Sequence, residues 1–428
     1  MYASRSVLLP ANAAGGCGPG GGNVASRLCV VDEVSAGDGK VLVAAGVRET
    51  LVAAVASFPT KREVKEIAEG KEEQREAKED DKSTHEASSK LAVPETLADT
   101  ISLQVGASLR SEVMSVAKCG RVVAAADGLG SGVLARLPNV IDDISDLVPE
   151  PMSRRTGGDE AAEPSAKRMR VDIGGCLKWD PIMPHAMPGW SGVAFPRLAA
   201  DQAQDPELVA VTHSFAQETQ IVDVFTGARR GRISHAQTPT GVAFADSNTL
   251  LTLEWGTVSL WDVRTSKPVK STAGSMAQER QPWLALDVGQ DPNVLAIAGE
   301  SRAVVLLDLR SWRTLATWRA PIKYEPVALR LVGADNRCFI AGRDHELVGC
   351  RLADMSKKSA VTTQSAKTQT PQSVPAGSLL YQNHRTFRSE DTWAGIDICS
   401  GASDSESSSS RFVGLTTSGI LYAGNYGF

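Results

Sequence analysis

Three stretches of this chain align with one another, and that internal repeat constrains the fold more than any other feature of the sequence. GVAFADSNTLLTLEWGTVSLWDVRT starts at Gly241, LALDVGQDPNVLAIAGESRAVVLLDLRS at Leu284, and VALRLVGADNRCFIAGRDHELVGCRLAD at Val327. Each reads as a β-run, a polar turn, a second β-run, a tight turn and a third β-run that ends at or near an acidic residue. In this alignment Trp255, Gly299 and Gly342 take equivalent turn positions, a period of 44 and then 43 residues. An earlier copy is assembled from GVAF (Gly192–Phe195), ELVAVTHS and TQIVDVFTG. A period of about 40–45 residues is the spacing of four-stranded blades set around a ring. One such unit cannot bury its own faces, so the copies are expected to pack side by side.

Outside the repeats the chain still reads as short strands. KVLVAAGV (Lys40–Val47), RVVAAA (Arg121–Ala126) and TLLTLE (Thr249–Glu254) are rich in branched apolar residues and bounded by Gly, Asp or Asn. The 38 glycines suit a protein with many turns. Weak copies of the unit over Leu28–Phe58, Ser111–Leu137 and Trp393–Phe428 join the four central ones to give an expected total of seven. The early strand Arg5–Pro10 is then expected to pair with the last unit, because an open ring leaves strand edges unpaired. Four segments interrupt this pattern and are expected to be long insertions, disordered or helical. They are a charged insertion at 60–95, a linker at 139–175, a polar tract at 355–390 and an acidic serine loop at 400–410. Within the first, Lys61–Lys82 has seven basic and nine acidic residues among 22, which cannot bury a core. The whole of 1–428 is otherwise expected to be one all-β domain.

The sharpest unit, Ser234–Arg264, resembles the WD40 family. Ser234-His235 stands where that family has Gly-His, and Trp261-Asp262 is its name-giving dipeptide. The resemblance implies a WD40-type β-propeller and a buried hydrogen-bond chain of His, Ser/Thr, Asp and Trp that ties a blade together. His235, Thr252 and Trp261 match three members, with Asp262 beside them; the turn Asp is missing, because Trp255 occupies its place. Asp223 and Asp308 keep the position of the WD aspartate in neighbouring units. The family also implies that turns between the second and third strands lie on one face, so Trp255, Arg302, Arg343 and Asp344 are the expected partner face. Trp261-Asp262-Val263-Arg264 further resembles the WDxR motif by which some WD40 proteins dock onto the adaptor of a cullin-type ubiquitin ligase. Leu307-Asp308-Leu309-Arg310 is a weaker second copy, so Arg264 and Arg310 are the candidate docking residues.

Chemistry is hard to find. The six histidines form no cluster with metal-ligand spacing, and none of the seven cysteines lies in a C-x-x-C pair. Asp127-Gly128-Leu129-Gly130-Ser131-Gly132 follows a strand, as a dinucleotide-binding turn would. Its third glycine is one position early and Pro138 would stop the helix, so it is expected to be a hairpin turn. Asp344-His345 has no nucleophile motif beside it. The chain is therefore expected to be no enzyme and to use no cofactor, metal or small-molecule substrate. Its net charge of −5 gives no global pull toward nucleic acid or anionic membrane. No apolar run approaches the roughly 20 residues of a membrane helix. The odd number of cysteines and the early Pro10 argue for free thiols and against a secretory leader.

Two features suggest a compartment. Arg154-Arg155, eleven residues, then Lys167-Arg168-Met169-Arg170 has the spacing of a bipartite nuclear import signal. EVMSVAKCGRVVAAADGLGSGVLARL (Glu112–Leu137) resembles an early blade of the WD40 nucleoporins in the Y-shaped scaffold of the nuclear pore, where a long insertion also follows that blade. The terminal SGILYAGNYGF ends the chain in a similar way. The expectation is a protein–protein interaction scaffold in a multi-subunit complex at the nucleus or nuclear envelope. The alternatives are a ligase substrate receptor and a cytoplasmic location.

Overall fold

The computed structural model describes residues 2–7, 25–35, 40–47, 50–57, 103–136, 176–182, 188–197, 205–271, 282–333, 337–351, 385–399 and 409–427. Every regular element among them is a strand. The strands form seven four-stranded antiparallel sheets, six of them from consecutive segments. The first sheet holds β2 (Ala25–Ser35), β3 (Lys40–Val47), β4 (Thr50–Ser57) and β5 (Leu103–Ser108). The next holds β6 (Val113–Cys119), β7 (Val122–Asp127), β8 (Gly132–Arg136) and β9 (Leu177–Trp179). Then come β10 (Ser191–Ala194), β11 (Leu208–His213), β12 (Glu218–Asp223) and β13 (Arg229–Ser234). The fourth is β14 (Pro239–Phe244), β15 (Thr249–Glu254), β16 (Thr257–Asp262) and β17 (Lys267–Ser271). β18 (Trp283–Val288), β19 (Val294–Gly299), β20 (Val304–Asp308) and β21 (Arg313–Trp318) follow. The sixth is β22 (Pro326–Val332), β23 (Arg337–Gly342), β24 (Glu346–Arg351) and β25 (Arg385–Arg388). The last joins β26 (Trp393–Cys399), β27 (Ser409–Thr416) and β28 (Ile420–Gly427) to β1 (Tyr2–Val7).

The inner strands make the ring. β2, β6, β10, β14, β18, β22 and β26 each lie beside the next, and β26 lies beside β2, which closes the circle. Closure is sealed by hydrogen bonds out of chain order: β1 pairs antiparallel with β28, Tyr2 opposite Asn425 and Val7 opposite Ile420. The closing strand is therefore Tyr2–Val7, displaced from the expected Arg5–Pro10. Pro10 has no N–H to give a ladder, and the partner strand offers Ile420 as the last match for Val7.

Sequence pattern follows position in the sheet. Second strands are buried on both faces, as in VVAAAD of β7 and VLAIAG of β19, because a neighbouring sheet covers each face. The core is accordingly a series of wedges between adjacent sheets. One joins Ala296, Leu306 and Trp318 to Leu329, Ile340 and Val348; another joins Leu251 and Val258 to Trp283 and Ile297. Outer strands are polar: Arg229, Arg230 and Arg232 of β13 are exposed, which blunts an edge that would otherwise pair with another chain. Six of the inner strands share a bulge near their first residue, for example between Pro239 and Gly241 and between Trp283 and Ala285.

Meander topology gives the ring two distinct ends. Connections from inner to second strand and from third to outer strand lie at one end; second-to-third turns and sheet-to-sheet links lie at the other. Segments 58–102, 137–175 and 352–384 each join a third strand to an outer one, and 400–408 joins β26 to β27. All four therefore leave the sheets at the same end, here called the insertion end; the opposite one is the turn end. The charged insertion, the linker and most of the polar tract lie outside the described residues. Two expected boundaries move: Arg385–Arg388 is strand β25 and not part of the polar tract, and the acidic serine loop ends before Ser409, where β27 begins. In both cases pairing to a long neighbouring strand captures residues that composition alone assigns to a loop.

Candidate interaction surface and its buried support

The Trp-Asp unit is built around a buried acid that the sequence conceals. Pro239 pairs with Glu254, Trp283 with Gly299 and Pro326 with Gly342. Glu254, and not Trp255, is thus the counterpart of the two glycines, and the structural period is 45 and then 43 residues. The Glu254 carboxylate does what the missing turn Asp would do. It accepts a bond from His235 Nδ1 at 3.1 Å, from the Ala236 amide at 3.2 Å and from the Thr252 hydroxyl at 3.3 Å. Trp261 Nε1 donates to Thr252 Oγ1 at 2.9 Å. A carboxylate only accepts, so His235 Nδ1 carries a proton, and Nε2 shares a hydrogen bond with the Thr219 hydroxyl at 2.7 Å. The Thr219 hydroxyl is in turn hydrogen-bonded to that of Thr212, also at 2.7 Å. The chain of bonds crosses from β11 and β12 into β15 and β16, so it ties two sheets together. Burial pushes the Glu254 carboxyl up, but the bonds from His235, Ser259 and the Gln237 backbone outweigh it and hold it below the ordinary glutamate value. The structure brings His235, Thr252 and Trp261 together through this acid. Thr212, Thr219 and Glu254 escape a sequence reading because hydroxyls on alternating strands carry no signature of their own.

Asp262 stands apart from that network. Its carboxylate takes both the Nε and Nη2 protons of Arg264, at 3.0 and 2.8 Å, and the Arg264 amide at 3.0 Å. Asp223 and Asp308 do the same work at equivalent turns, accepting the Phe225 and Arg310 amides. The repeated aspartate is a cap for the turn into the outer strand. Arg264 and Arg310 are 68% and 71% exposed, at the insertion end.

At the turn end each described hairpin places one residue in the left-handed region: Gly130, Gln217, Trp255, Arg302, His345 and Gly419 have φ between 47° and 85°. Four of these are not glycine, so the turns are held by the sheets around them. Trp255 is thereby projected outward and is 51% exposed. Phe215, in the equivalent turn one sheet earlier, is 61% exposed, and Tyr324, in the link from β21 to β22, is 52% exposed. Arg302 Nη1 donates to the Lys323 carbonyl at 3.0 Å, and exposed Arg343 pairs with Glu325 at 2.9 Å. Three of the four expected partner-face residues are thus exposed at this end. Asp344 is the exception: it is buried, and neither carboxylate oxygen has a partner among the described residues. The tight three-residue turn folds it inward, where it faces the Cα of Gly342. Burial, then the charge of Asp344, pushes the Glu346 carboxyl up. Phe215 and Tyr324 are additions that composition does not mark.

The glycine-rich run after β7 is a hairpin turn. Asp127 Oδ1 accepts the Leu129 and Ser131 amides at 3.0 and 2.9 Å, so the N–H groups a phosphate would need are spent. Gly132 cannot bear a side chain, because a Cβ would lie 1.9 Å from the Trp179 ring and 2.4 Å from the Ala125 carbonyl.

The inner strands line a central channel of about 1590 Å³. Its wall carries Asp287, Arg330 and Asp397 at one equivalent position of three successive inner strands. Arg330 Nε donates to Asp397 at 3.0 Å, and Asp287 accepts the Leu331 amide at 2.7 Å. Burial, against the pull of Arg330, pushes the Asp287 carboxyl up. Aligning LALDV, VALRL and AGIDI would have found this trio, since a charge recurs at the same place in apolar runs. Among the described residues no three His, Cys, Asp or Glu side chains converge as a metal site, and no helix is long and apolar enough to cross a membrane. Arg154, Arg155, Lys167, Arg168 and Arg170 lie outside the described residues.

Comparison with known proteins adds the fold. No protein-family model and no curated protein matches the sequence. Among solved structures, the chain is similar to the WD40 β-propeller domain of Doa1, with a TM-score of 0.54 and 10% identity over 94% of this chain and 93% of that one. At that identity the likeness is one of fold, and the chain is a WD40-type β-propeller.

Proposed function

We propose that this chain is a non-catalytic scaffold that binds partner proteins at the turn end, as a subunit of a multi-protein assembly at the nuclear pore. The observation that carries the first part is that three of the four exposed aromatic side chains among the described residues, Phe215, Trp255 and Tyr324, are presented at one end by rigid hairpins and links, with Phe225 alone at the other. Large aromatic side chains with little conformational freedom are the usual anchors of protein interfaces. Their support is buried and hydrogen-bonded, so binding orders little. The pore assignment is supported by the nucleoporin-like stretch Glu112–Leu137, by the insertion after it, and by the basic cluster from Arg154 to Arg170.

A second reading, a receptor subunit of a cullin-type ubiquitin ligase, is favoured by exposed Arg264 and Arg310 at the insertion end. One experiment separates the two. The full chain is purified from native cells with its partners, as wild type, as Phe215→Ser/Trp255→Ser and as Arg264→Ala. The scaffold reading expects a stable large complex of pore subunits that the aromatic double variant loses and Arg264→Ala keeps. A strictly monomeric elution sinks it, and loss of a ligase adaptor in Arg264→Ala alone establishes the other reading. Location is checked separately: a fluorescent fusion in which Lys167, Arg168 and Arg170 become Ala is expected to leave the nucleus, and one that stays nuclear removes the import signal.

A further inference from the structure

We propose that Arg197 is a spoke that narrows the insertion end of the central channel over β14 and so hinders entry from that end. β10 stops at Ala194, and buried Phe195 and Pro196 carry the chain to Arg197 at the channel mouth. The guanidinium donates from Nη1 to the Gly289 carbonyl and from Nη2 to the Val288 carbonyl. Those carbonyls lie at the end of β18, two sheets around the ring, so the side chain passes over the end of β14. Other links between inner strands join adjacent sheets: Ser115 with Val193, Thr240 with Trp283, and Arg330 with Asp397. A planar fork of donors suits two successive carbonyls in a way a single ammonium does not. The carboxylate of Asp287 on the same wall supplies a countercharge, so the cation is not left uncompensated in the channel.

The consequence concerns access. A polypeptide tail or side chain that approaches the channel from the insertion end meets the spoke. Asp287, Arg330 and Asp397 are the charged positions of the channel wall that it guards from that side. The spoke makes the two ends of the ring chemically unequal from the inside, as the insertions do from the outside.

Cys119 is a built-in reporter. It lines the same cavity, and its thiol donates to the Pro196 carbonyl, one residue from the spoke, at 3.9 Å. The full-length chain is reacted with a bulky maleimide, and modification of each cysteine is followed by mass spectrometry. In Arg197→Ala, modification of Cys119 is expected to be about tenfold faster, with buried Cys338 still protected and half-buried Cys176 unchanged. Removing a cation can only disfavour the thiolate, so a gain in rate reports access. Arg197→Lys, which keeps the charge but cannot span both carbonyls, is expected to fall between. An unchanged rate at Cys119 in both variants overturns the proposal. So does a rise at Cys338 that matches the rise at Cys119, because it would make Arg197 a general staple of the ring and not a closure.

Discussion

Glu254 shows how much one buried side chain can decide. Three donors converge on it, and two of them, on His235 and Thr252, would be left unpaired in a dry site if the carboxylate were removed. Glu254→Ala is therefore expected to cost about 2–4 kcal/mol, the unpaired partners adding to the lost bonds. Glu254→Gln is expected to cost about 1–3 kcal/mol, because it sets an N–H₂ group among donors. Asp262→Ala, at a solvent-facing turn, should cost less than either. Urea unfolding of the three variants checks the order, and a larger loss at Asp262 would refute the network as drawn. The sign of the pH dependence follows from the depressed Glu254 value. Its contribution is fully present above the ordinary glutamate range and is lost as pH falls through the lower folded value. The wild type should accordingly lose stability toward acid more steeply than Glu254→Gln, measured as midpoints between about pH 7 and about pH 3.

At the scale of elements, β1 is the strand on which the ring depends. It is the outer strand of a sheet whose other three members lie at the far end of the chain, so its pairing is the longest-range contact in the fold. Deleting residues 1–7 bares the edge of β28 and is expected to lower stability by about 3–6 kcal/mol, given some six paired residues at roughly half to one kcal/mol of net gain each. It should also promote association through the open edge. Light scattering reads the second effect, and a synthetic peptide of residues 1–9 added in trans should reverse both; a monomeric deletion of unchanged stability would refute the closure. The sequence shows the elements of the central repeats well, because second strands need two apolar faces and their turns need small or polar residues. It shows the closing strand only approximately, since YASRSV has no apolar alternation and is specified by its partner. The four-residue strand RTFR of β25 is hidden for the same reason. The blade network was legible at His235, Thr252 and Trp261, which stand in a fixed motif, and illegible at Glu254, which a one-residue misplacement of the turn put out of register. Burial of Asp344 was equally invisible, because a hairpin turn exposes or hides a side chain according to its loop length and not its composition.

For the whole molecule, the two ends of the ring divide the labour. The sheets β22–β25, β26–β28 with β1, β2–β5 and β6–β9 are consecutive around the ring, and they carry the four long segments, all at one end. The sheets β10–β13, β14–β17 and β18–β21 have short turns at that end, apart from the thirteen residues between β10 and β11, and carry Trp255 and Phe215 at the other. Long connections cost little folding free energy when the strands they join are held elsewhere, since closure entropy grows only with the logarithm of length. Insertions can therefore accumulate at the insertion end without disturbing the register that sets the aromatic turns. This separation predicts that the segments 60–95 and 355–380 are dispensable for the partner surface. A chain in which both are replaced by short Gly/Ser linkers should unfold in a single cooperative transition within about 1 kcal/mol of the wild type. It should also retain the partners that the Phe215→Ser/Trp255→Ser variant loses. Chemical cross-links from those partners should fall on Lys323 at the turn end and not on Lys118 or Lys267. If the shortened chain loses the partners while the ring remains intact, the docking surface lies with the insertions and the division between the two ends is wrong.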